Sequence, residues 1–142
     1  MFQLSLMLSP ETPSPQIQVA AAVIERDGRI LIGQRKRGSK HSLKWEFPGG
    51  KIEPGETPRA ALQRELREEL AIQAVIGEEL DSYDFQYSGA PLTRLVFFRV
   101  TEFAGEPQNL DFEQIVWERR SLLTSYDFLD GDIAFIRKLE LL

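Results

Sequence analysis

The pattern of apolar and polar positions predicts several strands and two helices along the 142 residues. A β-branched and alanine-rich run over residues 16–25 predicts a buried strand, and the segment RILIGQR predicts its partner across a turn at Asp27-Gly28. Further strands are expected over residues 72–87, 92–103 and 113–119. Strands and helices in this order favour an α/β sandwich with a mixed sheet over a regular parallel Rossmann sheet.

The clearest helix is predicted to begin at Thr57-Pro58. Thr57 is a typical N-cap residue, and Pro58 fits the first helical position, where its missing N–H costs nothing. The helix is expected to end near residue 70. Its apolar stripe consists of Leu62, Leu66 and Leu70.

Three carboxylates lie on one flank of this helix. Glu65, Glu68 and Glu69 fall within an arc of about 100° beside the leucine stripe. Like charges at this spacing repel one another, and a divalent cation would relieve the repulsion. A solvated acidic face paired with Arg64 and Arg67 would explain the same spacing. The helix alone therefore leaves both interpretations open.

The composition restricts the kind of metal site that the chain can form. It has no cysteine, and His41 is its one histidine, which excludes disulfides, thiolate nucleophiles and cysteine- or histidine-rich zinc sites. Any metal must be bound through oxygen, which favours Mg²⁺, Mn²⁺ or Ca²⁺.

The charge and hydropathy patterns restrict the partners. A net charge of −5 argues against a nucleic-acid polymer as partner but not against a small anionic substrate. No stretch approaches the roughly 20 apolar residues of a membrane span, and the start of the chain lacks the features of a signal peptide. We expect no membrane partner and a cytoplasmic enzyme or binding protein. Residues 1–15 are expected to form a lead-in, either a flexible tail or an added edge strand, and residues 16–142 a single domain.

The residues before and within the helix resemble a known family signature. The pattern is Gly50, five residues, Glu56, seven residues, Arg64-Glu65-Leu66, one residue, and Glu68-Glu69. This arrangement resembles the signature of the Nudix hydrolases, and the longer string WEFPGGKIEPGETP resembles their MutT branch in particular. The resemblance implies a Nudix α/β/α sandwich with a mixed sheet and a catalytic loop-helix-loop.

One position departs from the family pattern. Ala71 stands where the family has a glycine just after the helix. Glycine there allows a left-handed C-cap, and alanine can adopt the same conformation at a cost of roughly 1 kcal/mol. We expect an effect on stability and little on chemistry.

The resemblance also implies a magnesium site. Its ligands would be the Glu65, Glu68 and Glu69 carboxylates with the backbone carbonyl of Gly49, and Mn²⁺ would be able to substitute. Arg64 would hold these ligands in place by pairing with Glu56 or Glu68.

The roles of two further acidic positions stay open. Glu56 would orient either a water molecule or Arg64. A fourth acidic ligand or general base is expected from the loop before Trp117. Asp111, six positions ahead of that tryptophan, is preferred on register, and Glu113 is the second candidate.

Cations are expected at the phosphate end of the substrate. MutT-like enzymes place a cation at the positions of Arg35 and Lys51, where fixed positive charge stabilises phosphoryl transfer. A basic rim that attracts the anion is expected from the neighbouring residues Lys36, Arg37, Lys40 and His41.

The base is expected between the first strand and the last helix. Val19, Ala21 and Val23 would line it, and Asp132 matches the position where MutT-like enzymes hold the base edge. A carboxylate there would select bases with N–H donors, such as guanine or cytosine. The alternative is that Asp132, or Asp130, is simply the N-cap of a helix running through residue 139.

The resemblance implies hydrolysis of a (deoxy)nucleoside triphosphate to the monophosphate and pyrophosphate. Removal of 8-oxo-dGTP or a related damaged nucleotide, and so mutation avoidance, is the leading purpose, and a cytidine-type triphosphate is the next candidate. A nucleotide sugar or a dinucleoside polyphosphate would also suit the family, as would a non-catalytic nucleotide-binding module. The partner is expected to be a small nucleotide, and the protein a monomer or homodimer.

Overall fold

The computed structural model describes residues 14–140, so most of the predicted lead-in lies outside the described residues. The strands are β1 (Ile17–Arg26), β2 (Arg29–Gln34), β3 (Trp45–Glu46), β4 (Gly49–Lys51), β5 (Gln73–Val75), β6 (Glu79–Phe85), β7 (Thr93–Val100), β8 (Glu102–Ala104) and β9 (Gln114–Arg119). The helices are α1 (Pro58–Leu70) and α2 (Ile133–Leu139). Short 3₁₀ turns cover Arg120–Ser125 and Asp130–Asp132. Over these residues neither helix has the length and apolar character needed to span a bilayer.

Strand β1 is the centre of a seven-stranded mixed sheet. It runs parallel to β7 along most of its length and antiparallel to β4 at Val19–Ala21. Near its end it pairs with β2 through the turn at residues 27–28, and β9 and β6 extend the sheet on either side. The predicted mixed sheet is confirmed.

The two faces of β1 belong to two different cores. Ala20, Ala22 and Ile24 pack into a cluster with the leucines of α1, whereas Ala21 and Val23 pack into a cluster with aromatic residues and α2. This alternation follows from the period of two in a strand. The sheet is therefore covered by a helix on each face, as predicted for an α/β/α sandwich.

The strands predicted over residues 72–87 and 92–103 are each divided in two. β5 and β8 pair with each other as a separate two-stranded ribbon, whereas β6 pairs with β7 in the main sheet. Between them, the Gly77 N–H donates to the Arg99 carbonyl and the Arg99 N–H donates to the Glu78 carbonyl. The prediction of two continuous strands was wrong because the alternation of apolar and polar residues does not change where a strand changes its pairing partner.

Helix α1 begins and ends as predicted. The Thr57 hydroxyl accepts a hydrogen bond from the Ala60 N–H at 3.1 Å, and Pro58 occupies the first turn. Leu62, Leu66 and Leu70 are fully buried. At the other end Ala71 adopts the left-handed conformation, with φ 58° and ψ 34°, and its N–H donates to the Arg67 carbonyl. The helix thus has the C-cap geometry that normally carries glycine.

Replacing Ala71 with glycine is expected to stabilise the protein. Removal of the Cβ relieves the strain of the left-handed conformation, whereas the greater entropy of glycine in the unfolded chain opposes this gain. The net increase in the free energy of unfolding is expected to be about 0.5–1 kcal/mol. Urea unfolding of Ala71→Gly against the parent chain measures it. The matched control is Ala60→Gly, an exposed position inside α1, which is expected to lose up to about 1 kcal/mol. A destabilised Ala71→Gly variant would contradict the cap assignment.

Candidate active site

A cleft of about 400 Å³ runs between the first half of β1, strand β4 and the start of α2. Val19 and Ala21 line it as expected, whereas Val23 is fully buried farther along β1. Its apolar wall is completed by Phe47, Leu95, Phe97 and Leu129. A larger hollow of about 630 Å³ beside the β1–β2 turn contains none of the signature residues. The smaller cleft is therefore the candidate active site.

The glycine pair in β4 allows the acidic helix to lie directly on the sheet. A Cβ on Gly50 would lie 2.5 Å from the carboxyl carbon of Glu65, and one on Gly49 would lie 2.1 Å from the Ala20 carbonyl oxygen. The Gly49 N–H donates to the Glu69 carboxylate at 3.0 Å. A side chain at Gly50 would push α1 away from β4, and one at Gly49 would push β4 away from β1, so the glycine pair positions both carboxylates.

Arg64 ties the helix to the loop that precedes it. Its guanidinium donates to both oxygens of Glu56, at 2.7 and 2.8 Å, and to Glu65 at 3.0 Å and the Lys51 carbonyl at 3.1 Å. Its contact with Glu68 is longer, at 3.4 Å. Between the two partners expected for Arg64, Glu56 thus makes the closer contact. These bonds lower the pKa of Glu56 to about 2.

Several carboxylates lie close together beside the cleft, and of these Glu46 and Glu69 line it. Glu69 is only 8% exposed. Burial, followed by the charge of Glu46, raises its pKa to about 9. Burial likewise raises the pKa of Glu46 to about 7 against the opposing charge of Arg35, and burial raises the pKa of Glu65. The ionised forms of these carboxylates are thus disfavoured in the fold, and a bound cation would favour them.

This donor set fits a hard divalent cation in its chemistry. Glu65 and Glu69 are one helical turn apart and both face β4, but Glu68 is exposed. Over residues 14–140 no three acidic or histidine side chains converge into a closed metal cage. Carboxylate and carbonyl oxygens, with room for water, are nevertheless the ligands that Mg²⁺ and Mn²⁺ prefer.

The structure separates the two candidate acids of the loop before β9. Asp111 lines the cleft with Glu69 and Glu46. The Glu113 carboxylate instead accepts a hydrogen bond from the Arg37 N–H at 3.1 Å. The cleft thus contains Asp111 and not Glu113.

The two predicted phosphate-binding cations, Arg35 and Lys51, both line the cleft. Arg35 is held by Glu46 at 3.2 Å and by the Lys40 carbonyl at 2.7 Å, whereas Lys51 is exposed. Of the expected basic rim, Lys40 and His41 reach the cleft and the other two residues do not.

Asp132 also lines the cleft, beside its apolar wall. It is 7% exposed, and its burial, followed by the charge of Glu46, holds its pKa well above the ordinary value. Asp132 occupies the N-cap position of α2, but its side chain makes no capping hydrogen bond there. Asp130 lies in the preceding 3₁₀ turn and makes no side-chain capping bond there either. The Asp132 carboxylate instead accepts a hydrogen bond from the Phe47 backbone.

Two ionisable residues of the cleft were not predicted from the sequence. Glu46 stands between the buried Trp45 and Phe47, and this acidic residue between two aromatic ones was a usable signal. Tyr87 gave none. Its hydroxyl accepts from the Gly131 N–H at 2.8 Å and its ring lies 4.7 Å from that of His41, contacts between segments far apart in sequence.

Comparison with known proteins identifies the class. The model of the NUDIX domain family matches residues 14–138. The chain belongs to this family, whose members generally need a divalent metal ion. The resemblance seen in residues 50–72 is confirmed.

The relatives place the chain near the MutT enzymes. It is 42% identical to the CTP pyrophosphohydrolase of Escherichia coli K12 over 120 residues, which cover 84% of this chain and 88% of that one. It is 36% identical to the 8-oxo-dGTP diphosphatase of Haemophilus influenzae, covering 87% and 90%. The crystal structure of MutT NUDIX hydrolase from Burkholderia pseudomallei superimposes with a TM-score of 0.76 at 27% identity, covering 85% and 95%. The predicted MutT type is confirmed.

The buried charge of Glu69 is expected to make the metal-free protein less stable as the pH rises. Because its pKa is about 9 in the folded state against 4.5 ordinarily, the folded state keeps a proton that the unfolded state loses. The free energy of unfolding therefore falls between these two pH values. Glu69→Gln keeps the acceptor for Gly49 and removes the titration, so its Tm at pH 8 in EDTA should be higher by roughly 3 °C or more.

The measurement is Tm against pH for the variant and parent. Glu102→Gln, at an exposed position in β8, is the control and should follow the parent. Parallel profiles for Glu69→Gln and the parent would show that the pKa of Glu69 is not raised in the folded state.

Proposed function

We propose that this chain hydrolyses a nucleoside or deoxynucleoside triphosphate to the monophosphate and pyrophosphate, with Mg²⁺ as its cation and Mn²⁺ able to substitute. One observation carries the proposal: a single cleft is lined by Glu69 and Asp111 and also by Asp132 and an apolar chamber of Phe47, Leu95, Phe97 and Leu129. A nucleotide has the matching form, with a charged phosphate chain at one end and a flat base at the other. The related enzymes that act on CTP and 8-oxo-dGTP support the same reaction class.

The cation would be held by oxygen atoms of α1 and of the segments packed on it. The proposed donors are the Gly49 carbonyl and the carboxylates of Glu65, Glu68, Glu69 and Asp111. When bound there, a divalent cation supplies charge neutralisation on the phosphates and activation of a water molecule. Their intact presence favours an enzyme over a non-catalytic module.

The side chains around these donors would orient the reacting groups. Arg64 fixes Glu56 and Glu65 through the short hydrogen bonds described above. Lys51 and Arg35 would bind phosphate oxygens as charge moves onto the leaving pyrophosphate. Asp111 would either complete the donor set or take the proton of the attacking water. The water oxygen forms the new bond to phosphorus, and the phosphoanhydride bond breaks.

The apolar chamber would bind the base. Burial disfavours the ionised form of Asp132 in the free cleft. The N–H donors of a base, such as the N1–H and amino group of guanine or the amino group of cytosine, would stabilise that form by hydrogen bonding, so Asp132 would favour bases that carry them. We propose 8-oxo-dGTP or a related damaged nucleotide as substrate, in the service of mutation avoidance. A cytidine-type triphosphate is the second candidate because the CTP-hydrolysing relative is 42% identical.

We propose that the protein acts on free nucleotides in the cytoplasm, as a monomer or homodimer, without a nucleic-acid polymer or a membrane as partner. The net charge of −5 argues against a nucleic-acid polymer, and the small volume of the cleft suits a small nucleotide.

A panel of nucleotides tests the reaction. With Mg²⁺, pyrophosphate release is expected from at least one nucleoside triphosphate and is expected to stop in EDTA. Glu69→Gln should lower kcat by two or more orders of magnitude because it weakens the cation site while retaining the hydrogen bond to Gly49. Glu102→Gln serves as the control with parental rates. If no nucleoside triphosphate, nucleotide sugar or dinucleoside polyphosphate is turned over with metal present, the enzymatic proposal fails.

Base recognition is tested at Asp132. Asp132→Asn keeps the shape of the side chain but replaces one acceptor with a donor, so the ratio of kcat/KM between 8-oxo-dGTP and CTP should change by roughly tenfold or more. Asp130→Asn, in the same 3₁₀ turn but exposed, is the matched control. An unchanged ratio in Asp132→Asn would remove this residue from base recognition.

A further inference from the structure

The loop between β8 and β9, residues 105–113, carries Asp111 into the cleft. We infer that Asn109 is a positioning residue that holds Asp111 against the carboxylates of α1. The inference rests on the role proposed above for Asp111. It is carried by three sets of contacts that fix the loop on either side of that residue.

The first set joins the loop to the end of α1. The Gln108 N–H donates to the Leu70 carbonyl at 2.9 Å, and the Leu110 N–H donates to the Glu69 carbonyl at 3.0 Å. The last carbonyls of a helix have no hydrogen-bond partner within the helix, and here two backbone N–H groups of the loop donate to them. The backbone next to Asp111 is thus bonded to the backbone of Glu69, one of the proposed cation ligands.

The second set joins the loop to the sheet. Phe112 is 4% exposed, and its ring lies so close to β2 that a Cβ on Gly33 would be 2.5 Å from it. The Glu113 N–H donates to the Gln34 carbonyl at 2.8 Å. The residues that follow Asp111 are therefore fixed to the sheet.

The Asn109 side chain bridges the part of the loop that lies between its contacts with α1 and its contacts with the sheet. Its Oδ1 accepts from the Phe112 N–H at 2.8 Å, and its Nδ2 donates to the Phe112 carbonyl at 2.9 Å. One amide thus satisfies both backbone groups of a residue three positions ahead. Aspartate would retain the acceptor only, and alanine would retain neither.

The position of Asp111 depends on the hydrogen bonds between Asn109 and Phe112, because no contact among the described residues fixes the side chain of Asp111 itself. Within residues 14–140 it makes no hydrogen bond or ion pair, and both Asp111 and Leu110 are exposed. Its negative charge acts on Glu46, Glu65 and Glu69, whose protonated forms it favours. Mutual repulsion would move an unrestrained Asp111 away from the cleft before a cation binds. A rigid loop keeps it within reach, and such outer support commonly changes metal affinity or activity by about 10–100-fold.

The experiment compares Asn109→Ala and Asn109→Asp with the parent. Mn²⁺ affinity is measured without nucleotide by electron paramagnetic resonance, kcat and KM separately with Mg²⁺, and Tm in EDTA. For Asn109→Ala we expect a Kd for Mn²⁺ raised by about tenfold or more, a lowered kcat and little change in KM. Asn109→Asp should lie between Asn109→Ala and the parent. Gln108→Ala, whose backbone N–H is retained, is the control and should behave as the parent.

A double-mutant cycle identifies the residue through which Asn109 acts. If it acts through Asp111, Asn109→Ala should have almost no further effect on Mn²⁺ affinity or kcat in an Asp111→Asn background. Additive losses, or a lowered Tm with unchanged Mn²⁺ affinity, would overturn the inference and leave Asn109 as a structural residue.

Failure of the inference can be told from failure of the proposed function. If Asp111→Asn binds Mn²⁺ and turns over substrate like the parent, the role proposed for Asp111 is wrong, and the inference fails with it. If Asp111→Asn is impaired but Asn109→Ala is not, the inference alone is wrong.

Discussion

The close contact between α1 and β4 is the constraint on which the rest of the site depends. Glu69 is packed onto the Gly49 N–H, and the Glu65 carboxylate occupies the space that a side chain at Gly50 would fill. The contact depends on three features at once. The leucine stripe of α1 packs into the core, the pair Gly49-Gly50 leaves space for the helix, and Arg64 holds the preceding loop. Each condition is met within residues 49–70, which explains why so much of the chemistry is encoded in one short segment.

This contact makes the protein less stable when no cation is bound. Burial raises the pKa values of Glu69 and Glu46 to about 9 and about 7, so their ionised forms are disfavoured in the fold. Arg64 pairs mainly with Glu56 and Arg35 with Glu46, and neither bonds to Glu69. A divalent cation would take the place of the protons on these carboxylates and would supply the positive charge that their ionised forms lack in the fold.

What the sequence predicted well is what short-range geometry determines. Thr57 and Ala71 mark the ends of α1 through local capping, and helical spacing alone puts Glu65 and Glu69 on one flank. The division of the strands after residue 72 was not predictable, because it depends on which partner each strand meets. Tyr87 was missed for the same reason, since its contacts join segments that meet only in the folded chain. Glu46, in contrast, had a usable signal in its place between two aromatic residues.

The same distinction applies to the lining of the cleft. Apart from Asp111, the proposed cation ligands come from one continuous segment, residues 49–69, so they follow from the family signature. The surroundings of the base are assembled from distant pieces: Tyr83 donates to the Gly131 carbonyl at 2.6 Å, and Tyr87 accepts from the Gly131 N–H, which fixes the turn before Asp132. Small changes in any of these pieces alter the chamber without touching the acidic helix. Relatives named for CTP and for 8-oxo-dGTP can therefore both be similar to this chain, because overall similarity reports the shared reaction more directly than it reports the base.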